Sequence, residues 1–271
     1  MHSLPLDFES VVRCPLCRSA DKTPRLQPPM IGGGRAEFVS CSGCGLVFRD
    51  PAPTPAGLDQ FYASVYMTPE YRALEGFAIA DPRQELAGTL KYMEHLADEV
   101  EAFRQPPGRI LDAGCAFGGF LMEMRARGWE CTGVEPFADA AAFCSEQLGI
   151  YVLAGGLDHA ELPENQFDVI TLWEVIEHLS QPVRALRRAA SLARPGALLA
   201  LTTPNPNSPA ALVTGERWIG WKPPTHLCLF DFHTSRALLE RTGWSVLRTH
   251  ATGMYPGQIT VFAERKQDPG V

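Results

Sequence analysis

The sequence predicts an α/β fold: a doubly wound sheet with a terminal antiparallel strand pair, preceded by a small cysteine module. Three observations predict it. From Arg109 onward, short apolar runs alternate with helical patterns, which places parallel strands between covering helices. The first such strand ends in an acid and a glycine-bearing turn, Asp112-Ala-Gly114-Cys115-Ala-Phe-Gly118-Gly119. Four of the eight cysteines form two C-x-x-C pairs within the first fifty residues.

Residues 1–50 are rich in Cys, Gly and Pro, and Glu37-Phe38-Val39 and Leu46-Val47-Phe48 read as short strands beside the cysteine pairs. Such a segment is too small to hold together by apolar burial alone. Residues 51–107 read as a linker and helical cap. The run from Asp50 to Pro55 is proline-stiffened. From Asp81-Pro82, a cap and first helical residue, Leu86, Leu90, Met93, Ala97, Val100 and Phe103 recur at helical spacing. Residues 108–271 then form the main domain, with strands at 109–111, 130–134, 169–172 and 197–202 and helices at 119–127, 138–148 and 183–193. After a long insertion come a helix at 234–242 and strands at 244–250 and 258–264, joined through Gly253 and Pro256-Gly257.

With 271 residues and 45% hydrophobic content, the chain can bury one core and carry an accessory module. Its formal charge of -7 argues against a nucleic-acid partner, which calls for a basic face. Arg184, Arg187, Arg188 and Arg194 form the one notable basic cluster, and their helical spacing reads as a solvated face. No run approaches the roughly 20 apolar residues that span a bilayer, and Met1 to Arg13 lacks the apolar core of a leader. A soluble cytoplasmic protein with reduced thiols is expected, with no membrane association. Cys14, Cys17, Cys41 and Cys44 then suit a structural zinc ion, because four thiolates close its tetrahedron and leave no open position. A redox dithiol and plain buried cysteines are the alternatives. Cys115, Cys131, Cys144 and Cys228 are scattered and read as ordinary buried residues.

Glycines in the turn after Asp112 let backbone approach a ligand closely, and the helix start that follows receives anions. Glu135-Pro136 ends the next strand about 20 residues on, where doubly wound folds hydrogen-bond a ribose. S-adenosylmethionine suits this pair of acids: its cationic amino group and sulfonium face Asp112, its ribose Glu135, and its carboxylate the helix N-terminus. A nicotinamide dinucleotide is the competing ligand, but Gly114-Cys-Ala-Phe-Gly118-Gly119 lacks the middle glycine of G-x-G-x-x-G.

Over residues 109–263 the sequence resembles the class I S-adenosylmethionine-dependent methyltransferases, which carry a Rossmann-like domain. The likeness rests on Leu111-Asp-Ala-Gly-Cys115, Val134-Glu-Pro136, Leu162-Pro-Glu-Asn-Gln-Phe-Asp-Val-Ile170 and Glu174-Val-Ile-Glu-His-Leu179. Ala116 stands where the family usually has its second glycine. The resemblance places Gly156, Leu157 and Asp158 near the adenine and Trp173 near the methyl-transfer centre.

Glu174, Glu177 and His178 follow the strand at 169–172, at the carboxyl edge where open α/β sheets hold ligands. Methyl transfer mainly requires alignment, and a weakly acidic alcohol also needs a base. His226, in the insertion after Thr202-Thr-Pro-Asn205, is the preferred base, beside Glu177 and His178. The arrangement is similar to two branches of the family, the ubiquinone-pathway O-methyltransferases and the enzymes that methylate the terminal ribose of small RNAs. The second likeness implies a divalent metal, Mg or Mn, on Glu174, Glu177, His178 and His226. Under the alternative, Glu177 and His178 merely orient a loop. Tyr62, Tyr66, Tyr71, Phe77, Trp218 and Trp221 read as acceptor-pocket or lid residues, or as packing. Three functions follow. The first is O-methylation of a small molecule such as a sugar, phenol or natural-product intermediate. The second is RNA methylation with the ribbon reading the nucleic acid, and the third a non-catalytic cofactor-binding scaffold whose ribbon docks a protein partner.

Overall fold

The computed structural model describes residues 6–30, 33–66, 68–74, 81–251 and 255–267; Phe77 and Gly253 lie outside them. The chain opens with β1 (Phe8–Glu9), β2 (Lys22–Leu26), β3 (Phe38–Cys41), β4 (Val47–Arg49) and β5 (Ala52–Pro53). Helices α1 (Pro55–Ser64) and α2 (Pro69–Leu74) follow, then α3 (Pro82–Glu101). Proline starts α1 and α3 at their first positions, where its missing N–H is no loss. Thr54 Oγ1 accepts from Gly57 N at 3.2 Å and Asp81 Oδ1 from Arg83 N at 2.9 Å, which caps both.

The main domain alternates β6 (Arg109–Ala113), α4 (Gly119–Ala126), β7 (Glu130–Glu135), α5 (Ala138–Gln147), β8 (Tyr151–Ala154), β9 (Phe167–Trp173), α6 (Pro182–Leu192) and β10 (Ala193–Pro204). After α7 (Pro209–Thr214) and β11 (Cys228–Leu229) it closes with α8 (Phe232–Arg241), β12 (Trp244–Ala251) and β13 (Gln258–Arg265). The sheet has seven strands in the order β12-β13-β10-β9-β6-β7-β8. Strands β10 through β8 run parallel, while β13 and β12 are antiparallel. This is the expected doubly wound architecture with its terminal antiparallel pair.

Side chains alternate across each strand, so the sheet has two apolar faces. Ile110, Val169, Leu198 and Phe262 pack under α3 and α4 against Leu96, Val100, Leu121 and Met124. Leu111, Ile170, Leu199 and Val261 pack on the other face against Leu186 and Ala189 of α6 and Leu239 of α8. In register, Asp112 stands beside both Gly133 and Thr171, and Trp173 beside Thr202. The residues singled out in the sequence therefore share one edge.

The N-terminal module does not stand apart. Its sheet has the order β11-β4-β3-β2, so its outer strand comes from the insertion that follows β10. Cys228 pairs with Phe48 and Leu229 with Val47. Ribbon and main-domain residues consequently share one core, in which Leu16, Leu46 and Phe48 pack with Leu227, Phe230 and Ile176.

Candidate active site

The turn after β6 begins with Gly114 at φ +77, and a Cβ there would meet Val175 Cγ2 at 2.6 Å. Only glycine satisfies both conditions. Ala116, in the position of the family's second glycine, also takes a positive φ of 47, and its N donates to Glu135 Oε2 at 2.9 Å. Glu135 Oε1 accepts from Phe137 N at 2.9 Å, so Glu135 knits its own strand end to the loop. Gly118 enters α4 in the left-handed region with no side-chain cap, which leaves the N–H groups of the first turn to a ligand. Cys115 is buried beneath this loop. Pro136 is the half-buried residue between Glu135 and Phe137.

Asp112 is 2% exposed and its Oδ1 accepts from Thr171 Oγ1 at 2.7 Å. Burial, opposed by that hydrogen bond and reinforced by the charge of Glu135, pushes its carboxyl up to about 7. Burial also raises Glu135, against the two backbone donors. On the next loop Leu157 is buried, while Asp158 Oδ2 pairs with Arg184 at 3.3 Å. Asp158 Oδ1 and Trp173 Nε1 are buried and find no partner among the described residues. An adenine amino group and a polar substituent are the kinds of group that would complete them.

Across the edge, the short 3-10 turn Ile176–His178 presents Glu177 and His178, and the insertion delivers His226. The two imidazoles meet edge to face, ring centroids 4.7 Å apart. His226 Nδ1 lies 2.8 Å from the Gly220 carbonyl and His178 Nδ1 3.0 Å from the Thr225 carbonyl. A carbonyl can only accept, so both Nδ1 atoms carry the proton and both Nε2 lone pairs remain open. Burial, with the nearby Lys222 charge, pushes His178 down to about 3. Burial, then His178 and Lys222, hold His226 well below the usual value. Both rings are neutral at physiological pH.

Glu177 is fully buried; its Oε2 accepts from Thr203 Oγ1 at 3.2 Å, and its Oε1 has no partner among the described residues. Burial and the charge of Glu174 raise it well above the carboxylate range. Ligand atoms of Glu177, His178 and His226 lie within 4.8 Å of one another. Glu174, expected as a fourth member, stands outside this group. Its backbone is left-handed at φ 55, and its Oε2 accepts from the Tyr255 hydroxyl at 2.8 Å. Tyr255, Thr203 and Lys222 escaped the sequence reading because none belongs to a recognisable spacing.

Aromatic rings of the first helices line this edge: Tyr62 and Tyr66 lie 5.9 and 6.0 Å from His178, and Tyr71 packs on Phe61 at 5.0 Å. Trp218 and Trp221 instead anchor loops, donating from Nε1 to Pro256 O at 3.1 Å and Gly215 O at 2.9 Å. Three arginines of the basic cluster, Arg184, Arg188 and Arg194, are tied down as well. Arg188 donates to the Ala160 and Leu162 carbonyls, and Arg194 pairs with Asp168 at 2.7 Å.

In the cysteine module, Cys14 and Cys44 sulfurs lie 3.6 Å apart and those of Cys17 and Cys41 3.4 Å, all four within 4.8 Å. A disulfide needs about 2.05 Å. A tetrahedron with Zn–S bonds of about 2.3 Å has edges of about 3.8 Å, and the sulfurs match that spacing. Of the other cysteines, Cys115, Cys144 and Cys228 are buried and Cys131 is half-buried.

Comparison with known proteins decides the family, for the methyltransferase domain profile matches residues 86–249. The chain is a class I S-adenosylmethionine-dependent methyltransferase. This methyltransferase is 34% identical over 179 residues to the ubiquinone biosynthesis O-methyltransferase of Escherichia coli (strain SMS-3-5 / SECEC), covering 60% of the chain and 71% of that relative. The protein of the same name from Aeromonas salmonicida (strain A449) is 39% identical over 113 residues, 39% of this chain and 47% of its own length. The methyltransferase thus spans about half of that second relative.

Two solved structures share the fold. Magnesium protoporphyrin IX methyltransferase from Synechocystis PCC 6803, with bound SAH, aligns with TM-score 0.60 and 17% identity over 79% of this chain and 100% of that one. The 1,6-didemethyltoxoflavin-N1-methyltransferase of Burkholderia thailandensis, with bound 1,6-didemethyltoxoflavin and S-adenosylhomocysteine, aligns with TM-score 0.64 and 14% identity over 89% of this chain and 100% of that one. Among the described residues of the methyltransferase, no helix is long and apolar enough to cross a membrane.

Proposed function

We propose that this methyltransferase O-methylates a small hydroxylated acceptor of the sugar, phenol or natural-product type, with His226 as the base. The observation that carries the reading is the pair of neutral imidazoles whose Nδ1 protons are tied to backbone carbonyls, leaving Nε2 of each open at the carboxyl edge. S-adenosylmethionine, when bound, supplies an electrophilic methyl group. Asp112, Glu135, Gly118 and the loop Leu157–His159 hold it, Glu135 and Asp158 by accepting hydrogen bonds. His226 Nε2 takes the hydroxyl proton as the oxygen becomes nucleophilic. The O-methyltransferase names of the relatives agree in chemistry.

The N-terminal cysteines hold one structural zinc in this reading, their sulfur spacing being the support. The protein works in the cytoplasm, and its acidic charge and tethered arginines speak against RNA as acceptor. A second reading is favoured by the convergence of Glu177, His178 and His226: these three would hold a divalent cation such as Mg or Mn, which would polarise the acceptor hydroxyl. Loss of turnover on chelation, restored by the metal, selects the second reading over the first. The test of function is incubation with methyl-labelled cofactor and a panel of hydroxylated metabolites, read by mass spectrometry. A labelled methyl on oxygen is expected; a label on nitrogen or carbon, or none on any acceptor, defeats the proposal.

A further inference from the structure

We propose that Arg49, at the end of the ribbon strand β4, is a positioning residue for His226, which makes the ribbon a working part of the acceptor site. Arg49 grips the His226 loop on both sides. Its backbone N donates to the Leu227 carbonyl at 2.8 Å, and its Nη1 donates to the Pro224 carbonyl at 3.1 Å. The same stretch is held from below, where Leu227 N donates to the Glu177 carbonyl at 2.7 Å. His226 therefore sits between two backbone anchors supplied by the ribbon, one of which continues into the turn bearing Glu177 and His178.

The ribbon also steadies the acceptor of the His226 proton. Gly220 provides that carbonyl, and its neighbour Trp221 packs against Phe38 of β3 at 5.2 Å. Strand β11, two residues long, has no stability of its own and exists by pairing with β4. Arg49 has local partners as well: its guanidinium lies over the Phe8 ring, 4.7 Å from the centroid, and its Nη2 donates to Met30 Sδ at 3.2 Å. It is 4% exposed and pairs with no carboxylate among the described residues, and its Nε has no partner among them. Burying a cation that has no carboxylate partner is unfavourable unless hydrogen bonds and ring contacts offset it. Here one of those hydrogen bonds holds the carbonyl two residues before His226.

The consequence is an imidazole with its tautomer and orientation set from outside its own domain. An unconstrained loop would let His226 leave the Gly220 carbonyl and place its proton on Nε2, where it cannot act as a base. The inference rests on the reading of His226 as the base, but its geometric part is separable. In the full chain, Arg49→Met is expected to shift the imidazole nitrogen resonances of His226 away from the Nδ1–H form, and to lower kcat by about tenfold or more with KM changed little. Affinity for S-adenosylmethionine stays within about twofold, since the cofactor loop is untouched. Arg49→Lys, which keeps a donor, restores part of the turnover.

Unchanged His226 resonances in Arg49→Met overturn the proposal. So does loss of cofactor binding in that variant, because Arg49 would then be a general stability residue. If His226→Gln turns over as the natural chain does while Arg49→Met still shifts His226, the base assignment fails and the clamp stands.

Discussion

The Tyr62 hydroxyl lies 2.8 Å from His178 Nδ1, a contact that joins the first helix to the turn after β9. Because the Thr225 carbonyl takes the same proton at 3.0 Å, Tyr62 reinforces a tautomer that is already set. Tyr62→Phe is accordingly expected to lower stability by about 1 kcal/mol, and turnover severalfold, with cofactor affinity unchanged. Chemical denaturation and steady-state kinetics check this; a loss of cofactor binding would mean that α1 belongs to the other half of the site.

Gly114→Ala attacks the cofactor loop at its tightest point. The left-handed backbone costs a side chain about 1–2 kcal/mol, and Val175 Cγ2, 2.6 Å from the new Cβ, must move as well. Calorimetry is expected to find no binding of S-adenosylmethionine to a chain that remains folded by circular dichroism. Retained affinity would show that the loop does not approach the ligand.

Asp112 yields a pH signature. Its carboxyl has a usual value of 3.8 and is pushed up to about 7 by burial, so the unfolded chain releases this proton before the folded one does. The folded state therefore loses stability relative to Asp112→Asn as pH rises from about 4 to 7, and the gap is constant above that. A cationic ligand group beside Asp112 favours its ionised form, so binding at pH 6.5 should release a proton. Calorimetry in buffers of different ionisation enthalpy measures that release, and the prediction is lost if Asp112→Asn releases as much.

The alternating elements were legible in the sequence because long periodic segments carry their own signal; α3 and the terminal strands β12 and β13 match their predicted spans closely. What escaped were elements defined by neighbours. Strand β8 is short and exposes Tyr151, and β11 is a strand only because β4 lies beside it. Pro55 read as the end of a stiff boundary, whereas it starts a helix. At the site, residue types and their edge could be read from motifs. The turning of Glu174 toward Tyr255 depends on a left-handed backbone that no spacing announces.

Zinc removal tests the cysteine module. Elemental analysis should find about one zinc per chain, the number a four-thiolate site takes. Since the module shares its core with the main domain, chelation is expected to lower the melting temperature of the whole chain. A loss of about 2 kcal/mol would appear as roughly 4–8 °C. A melting curve indifferent to chelator, or metal-free protein from gentle purification, rules the zinc out. Cys17→Ser should reproduce the chelated behaviour.

His226 gives the sharpest test of mechanism, because its environment and its role make opposite demands on a proton. As a base it works unprotonated, and burial, with His178 and the charge of Lys222 beside it, holds it well below the usual 6.5. The kcat profile should therefore stay flat from pH 8 down through 6.5, where an ordinary histidine would already be half protonated, and fall only in stronger acid. Stability follows the same proton with its own sign. Below 6.5 the unfolded chain takes up a proton that the buried ring refuses, so the fold weakens as pH drops toward the depressed value. His226→Gln should remove part of that acid weakening while lowering kcat by about 10²–10⁴, with cofactor affinity intact. A break in kcat centred near 6.5, or a glutamine variant of undiminished turnover, would move the base elsewhere, and the nearest open imidazole nitrogen is then His178 Nε2.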